Sequence, residues 1–166
     1  LHENLKDQTN VLILSKKEKI ISDFIIGSID ESGYLSRSID ELIDDIAFTQ
    51  NEIISSKEIK NVLSMIQNLE PPGIASRNLQ ECLSLQLKRK PKTNETLIAG
   101  KIIDEGFDLF SKKHFKKMQE KFNLNQNSLK KGLNEIEKLN PKPGGSISSF
   151  SENNHIVPDF ILTVNE

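Results

Sequence analysis

A single cysteine, Cys82, excludes an intramolecular disulfide, and no apolar run approaches the ~20 residues that a membrane-crossing helix needs. The chain also lacks the spacings that carry common chemistry. It has no phosphate-cradling G-x-x-x-x-G-K-[ST], no H-E-x-x-H, no calcium loop and no G-x-S-x-G elbow. Its three histidines, His2, His114 and His155, stand far apart and have no cysteine pair beside them, so metal binding is not expected. No convergent set of nucleophile, base and oxyanion donor emerges, which argues against an enzyme and against a cofactor. Positive charge is scarce in the first half: residues 1–87 carry 8 Lys+Arg against 14 Asp+Glu, a net of −6, whereas residues 88–166 carry 14 against 10, a net of +4. Nothing in the first half looks like a footprint for phosphate.

What is present is ordinary for a helical protein: 36% hydrophobic and 28% charged residues over 166 positions, enough for one domain or two small ones. The first residues are polar and charged without a signal-peptide pattern, which leads to a cytoplasmic expectation. The chain begins at a leucine and ends just after a strand-like run, and so reads as a piece of something longer.

Four helix starts carry capping-box spacing, in which a side-chain oxygen caps the free amides and an acid three residues on reaches back: Ser15/Glu18, Ser38/Glu41, Ser55/Glu58 and Asn78/Glu81. Asp30-Glu31-Ser32-Gly33 is a turn signal, and Tyr34 and Leu35 after it are expected to fold back and lock the hairpin into the core. A helix over about 39–48 places Ile39, Leu42, Ile43 and Ile46 on one stripe, with acids opposite. The next, 59–69, repeats Ile59, Val62, Leu63, Ile66 and Leu69 at helical spacing until Pro71 and Pro72 stop it. A helix over 79–90 presents Leu79, Cys82, Leu83 and Leu87, with Cys82 read as a small core hydrophobe. Its Lys88-Arg89-Lys90 end suits the helix dipole.

Residues 91–94 break the pattern. Helices are then expected over 95–111, 113–122 and 126–139, and most of the eight phenylalanines lie beyond the break, predicting an aromatic second core. Asn140-Pro141-Lys142-Pro143-Gly144-Gly145 cannot continue a helix, and 155–164 has strand composition, with Pro158 restricting it to an edge or irregular place. The fold class is mainly α: two small helical bundles, 1–90 and 95–139, connected by 91–94, then a Pro/Gly loop and extended segment over 140–166.

The block Leu69–Leu83, LEPPGIASRNLQECL, together with 1–8 (LHENLKDQ), 29–35 (IDESGYL), 62–87, 139–145 (LNPKPGG) and 156–160 (IVPDF), resembles the core-binding domain of the sigma-54 family of bacterial RNA polymerase initiation factors. The family usually reads G-V-G-A-R-D where this chain has Gly73-Ile74-Ala75-Ser76-Arg77-Asn78, and often an aromatic where His155 stands. The resemblance implies a module that anchors a longer factor on core RNA polymerase. Promoter DNA and an ATP-driven activator would be met mainly by regions outside this segment. It also implies a contact surface on the turn and adjoining helix: Glu70, Pro71, Pro72, Gly73, Ile74, Arg77, Gln80 and Glu81. For Arg77 the residues leave two roles open, a polymerase contact or an internal pair with Glu70 or Glu81.

A lysine band, Lys112, Lys113, Lys116, Lys117 and Lys121, opposite Phe115, Met118 and Phe122, reads as a solvated face or as a secondary contact to an acidic surface or to DNA. Two other readings compete with the polymerase anchor. One is a helical protein–protein adaptor. The other is a helix-turn-helix DNA regulator, against which the connection from Glu70 to Asn78 exceeds the usual 3–4-residue turn and Glu81 would repel phosphate.

Overall fold

A computed structural model describes residues 1–145, and the strand-composition segment 155–164 lies outside them. Eight helices form the described chain: α1 (His2–Asn10), α2 (Lys16–Gly27), α3 (Ile39–Gln50), α4 (Ser56–Ile66), α5 (Leu79–Arg89), α6 (Asn94–Ser111), α7 (Phe115–Phe122) and α8 (Gln126–Glu137). The described residues contain no sheet, only isolated bridges pairing Ile29 with Leu35 and Tyr34 with Ser76. The mainly α class is what the sequence predicts.

Ser15, Ser38 and Ser55 each accept the N3 amide while Glu18, Glu41 and Glu58 return to the cap backbone, so three capping boxes are complete. The fourth is half a box. Asn78 accepts from the Glu81 amide, but the Glu81 carboxylate reaches one residue further back, to the amide and guanidinium of Arg77. Thr93 with Thr96, and Asn125 with Ser128, cap α6 and α8 by the same chemistry without an acid. Helix α4 ends at Ile66 rather than Leu69: the chain tightens into a turn in which the Leu69 amide bonds the Ile66 carbonyl, and Leu69 is still delivered to the core.

Burial separates into two apolar clusters. The first draws Leu5 from α1, Ile21, Ile25 and Ile26 from α2, Leu42 and Ile46 from α3, and Ile59, Val62, Leu63 and Ile66 from α4, closed by Ile29, Leu35, Ile54, Leu69 and Ile74. The second contains Leu83 and Leu87 of α5, Ile98, Ala99, Ile102 and Ile103 of α6, Met118 of α7, and Leu129, Ile136 and Leu139 from α8 and beyond. Helix α5, although N-terminal to the Pro91 break, therefore packs on α6. Its buried stripe also differs from expectation. Leu79 is 40% exposed, whereas Gln86 is buried beside Cys82, Leu83 and Leu87.

The second cluster is aliphatic at its centre. Phe107, Phe110 and Phe122 are partly buried at its edge, and Phe115 is 45% exposed, because β-branched stripes of α6 and the close α6–α8 approach already fill the middle. At that approach a Cβ on Gly132 would stand 2.6 Å from Ile98 Cγ2, so only a hydrogen fits.

Candidate functional site

The turn between α4 and α5 is built from its buried side outward. Gly73 has φ +88, a region costly to other residues, and a Cβ there would lie 2.8 Å from Cys82 Sγ and 2.9 Å from Gln86 Nε2. Ile74 is fully buried. Ala75 adopts φ 56. Its carbonyl accepts Gln67 Nε2 at 3.1 Å, and its amide donates to the Gly33 carbonyl at 2.9 Å. The Leu35 amide donates to the Ser76 carbonyl at 2.9 Å, so residues 33–35 and 75–76 run as a short backbone ladder.

The segment 139–145 closes the other side. Gln86 Nε2 donates to the Asn140 carbonyl at 2.6 Å and Gln86 Oε1 accepts the Asn140 amide at 2.9 Å. The Tyr34 hydroxyl donates to the Pro141 carbonyl at 2.6 Å, and the Gly144 amide donates to the Ser32 carbonyl at 3.0 Å. Contact here is backbone on backbone: a Cβ on Gly33 (φ +95) would stand 2.7 Å from the Gly144 amide nitrogen, and one on Gly144 would stand 2.4 Å from the Glu31 carbonyl. Burial first, and then the neighbouring Cys82 thiol and Asp30, push the Tyr34 phenol up to about 12.

Residues 1–8 enter the same knot. Gln8 Nε2 donates to the Glu70 carbonyl at 2.7 Å while its Oε1 accepts the Glu70 amide at 2.8 Å, and His2 Nε2 reaches the Ile29 carbonyl at 2.8 Å. Four sequence blocks far apart in the chain, 1–8, 29–35, 69–83 and 139–145, therefore meet at one junction. The fifth, 156–160, lies outside the described residues.

The outer face of the turn is polar. Glu70 and Arg77 are exposed, Pro71, Pro72, Gln80 and Glu81 half-buried, and Gly73 and Ile74 buried. Arg77 makes a two-pronged pair with Glu81, Nε to Oε2 at 3.0 Å and Nη2 to Oε1 at 2.9 Å. Partial burial opposes the Glu81 charge, but bonds from the Arg77 side chain and amide and from Gln67 outweigh it and hold the carboxyl below its ordinary range. Glu70 pairs instead with Arg89 at 2.9 Å, and Arg89 also bonds the Leu69 carbonyl at 2.8 Å. Gln80 bonds the Ile103 carbonyl at 2.8 Å, tying α5 to α6.

Gln8, Gln86 and Arg89 escape a reading from motifs. The signal for Gln86 is visible afterwards: an amide on the apolar stripe of α5, four residues past Cys82. Lys112, Lys113, Lys116, Lys117 and Lys121 are all exposed, with Phe115 half-exposed between them rather than turned into the core. Lys121 Nζ bonds the Glu105 carbonyl and lies 5.4 Å from the Phe122 ring centroid. Among the described residues no group of three or more His, Cys, Asp and Glu could hold a metal ion, and no helix is long and apolar enough to cross a membrane.

Residues 1–166 match the family described as sigma-54 factor, core binding domain. The RNA polymerase sigma-54 factor of Pseudomonas aeruginosa (strain UCBPP-PA14) is 36% identical over 163 residues, which cover 98% of this chain and 32% of that protein. That of Bacillus subtilis (strain 168) is 34% identical over 164 residues, 99% of this chain and 36% of the relative. That of Escherichia coli (strain K12) is 30% identical over 163 residues, 98% of this chain and 33% of the relative. The chain thus spans about a third of the length of these relatives.

Proposed function

We propose, because this chain belongs to the sigma-54 factor core binding domain family, that it docks on core RNA polymerase as the anchoring part of a longer, cytoplasmic transcription initiation factor. The observation that carries this is the match to the core binding domain over residues 1–166. The intact factor would direct polymerase to promoters and depend on an ATP-driven activator for opening, with promoter DNA and activator engaged mainly outside this segment. A division into two helical bundles is part of the same reading, with α5 joining α6, α7 and α8 in the second bundle rather than closing the first at residue 90.

The contact surface we assign is the outer face of the α4–α5 turn: Glu70, Pro71, Pro72, Arg77, Gln80 and Glu81. Its shape is held from within by Gly73 and Ile74, so little conformational entropy remains to be lost on docking. The lysine band of 112–121 is assigned a secondary contact. A helix-turn-helix role fits poorly, since residues 67–78 separate α4 from α5 where a 3–4-residue turn is usual. A general protein adaptor draws support from Val11, Ile13, Phe48 and Ile53, which are 84, 104, 92 and 89% exposed.

Competition between this segment and an intact sigma-54 factor for purified core polymerase, alongside a duplex titration at two salt concentrations, tests the assignment. Competition with weak, sequence-independent duplex binding is expected. Failure to compete at any attainable concentration, or tight sequence-specific duplex binding by the segment, overturns it.

A further inference from the structure

A groove of about 280 Å³ lies between α5 and α6. Leu87, Thr96, Leu97 and Gly100 line its floor; Leu87 belongs to the buried cluster, whereas Leu97 is 53% exposed. Gly100 lies inside an eighteen-residue helix, where glycine is among the poorest formers, and a Cβ added there would meet nothing within 4 Å. Gly106 and Gly132 in the same cluster are different: the Phe122 ring and Ile98 occupy the space their side chains would need. The packing of this chain thus requires a hydrogen at 106 and 132 but not at 100, where its effect is to leave a notch open to the outside.

Lys88, Lys92 and Lys101 rim the groove, and among the described residues none has a carboxylate within ion-pair distance. Lys90, by contrast, is taken up by Glu135 at 3.0 Å. An apolar floor beneath three uncommitted ammonium groups complements a peptide segment that offers one apolar anchor flanked by carboxylates. Asp104 and Glu105 also line the groove, but the three uncommitted lysines outnumber them; nucleic acid fits less well because the apolar floor offers phosphate nothing. Ser84, Lys88 and Asp104 border both this groove and the depression lined by Gln80 and Glu81, so the groove is continuous with the outer face of the turn.

We infer that the α5–α6 groove is a second docking element, receiving an acidic amphipathic segment of core RNA polymerase whose apolar anchor enters the notch at Gly100. This rests on the polymerase-anchor reading above. Filling the notch with Gly100→Leu should weaken binding to purified core polymerase about 10-fold, and the triple variant Lys88→Glu, Lys92→Glu, Lys101→Glu should weaken it further, with that loss shrinking as salt rises. Gly100→Ala should bind nearly as the parent does. Melting curves accompany each variant. If Gly100→Leu itself lowers the melting temperature, the lysine triple, confined to side chains that pair with no carboxylate among the described residues, decides.

Parent-like affinity in the triple variant overturns the groove and leaves the polymerase anchor standing, whereas absence of binding by the parent chain removes both. A triple variant that loses duplex DNA binding while keeping its polymerase affinity makes the groove a nucleic-acid surface and also overturns the inference.

Discussion

Gln86 grips Asn140 by both of its backbone groups, donating to the carbonyl at 2.6 Å and accepting the amide at 2.9 Å across 54 positions of sequence. Gln8 does the same to Glu70 across 62 positions. A primary amide presents one donor and one acceptor side by side, so each glutamine replaces the partner strand that an isolated backbone residue lacks.

Gln86→Leu fills a similar volume but leaves the Asn140 amide and carbonyl without these partners. The expected cost is about 1 kcal/mol by denaturant unfolding, the net worth of a part-buried hydrogen bond, since Asn140 itself is exposed. Gln86→Glu should be worse at neutral pH than at pH 4, because a carboxylate faces the Asn140 carbonyl. Equal losses for Glu at both pH values would contradict the two-pronged role.

Gly73→Ala is expected to destabilise by about 2 kcal/mol or more, as φ is +88 and the new methyl meets Cys82 Sγ at 2.8 Å. Ala75→Gly should act in the opposite direction. Ala75 sits at φ 56, where an L residue is strained by roughly 1–2 kcal/mol, partly offset by the extra entropy of unfolded glycine, for a net gain of about 0.5 kcal/mol. Thermal melts of the pair check both signs.

Asn78→Ala removes the cap on the Glu81 amide and should cost about 0.5–2 kcal/mol. Arg77→Ala breaks an i,i+4 pair whose Glu81 side is half-buried but keeps bonds from the Arg77 amide and Gln67, and a stability change of about 0.5–1 kcal/mol is expected. If Arg77 belongs to the polymerase contact, its affinity falls by more than that loss explains. Matching melting temperature and affinity in this one variant separates the two roles.

Titration should reveal two of these contacts at opposite ends of the pH scale. The Glu81 carboxyl is held below its ordinary 4.5, so its ionised form is the one the fold favours. Its contribution is present above that value and disappears as pH falls through the lowered one, and Glu81→Gln should flatten this part of the acid limb. Tyr34 is the reverse: its phenol is raised from 10.0 to about 12, so its contribution is complete below 10 and lost as pH climbs toward 12. Tyr34→Phe should remove that alkaline loss along with the bond to the Pro141 carbonyl.

Much of the secondary structure can be read from local chemistry. Ser15, Ser38 and Ser55 announce their helices because a hydroxyl and an acid three residues on satisfy amides within one turn, and no distant residue enters. Asn78 shows where that logic stops. Its Glu81 has the right spacing, yet Arg77 beside the cap offers the carboxylate a charged fork, and the box gives way to an ion pair. Phe115 shows the same limit for cores, since the periodicity that places it beside Met118 and Phe122 cannot say that aliphatic side chains of α6 have already filled the centre.

The sequence by itself determined the capped helix starts, the interruption ahead of Pro71 and Pro72 and most of the apolar faces, because these depend on side chains within a few residues of one another. It did not announce α1, which has no side-chain cap. Its blocks also marked the family without saying why they occur. Only the tertiary structure decided that 1–8, 29–35, 69–83 and 139–145 meet at one junction, that α5 packs with α6, and that Glu70 takes Arg89 while Arg77 takes Glu81. Those choices join atoms separated by up to 107 positions, as in the Tyr34 bond to Pro141. The glutamine and tyrosine bonds go to backbone amides and carbonyls that remain unpaired once the helices have packed, and the helix pairing follows the apolar faces that then meet, quantities that no local stretch of residues contains.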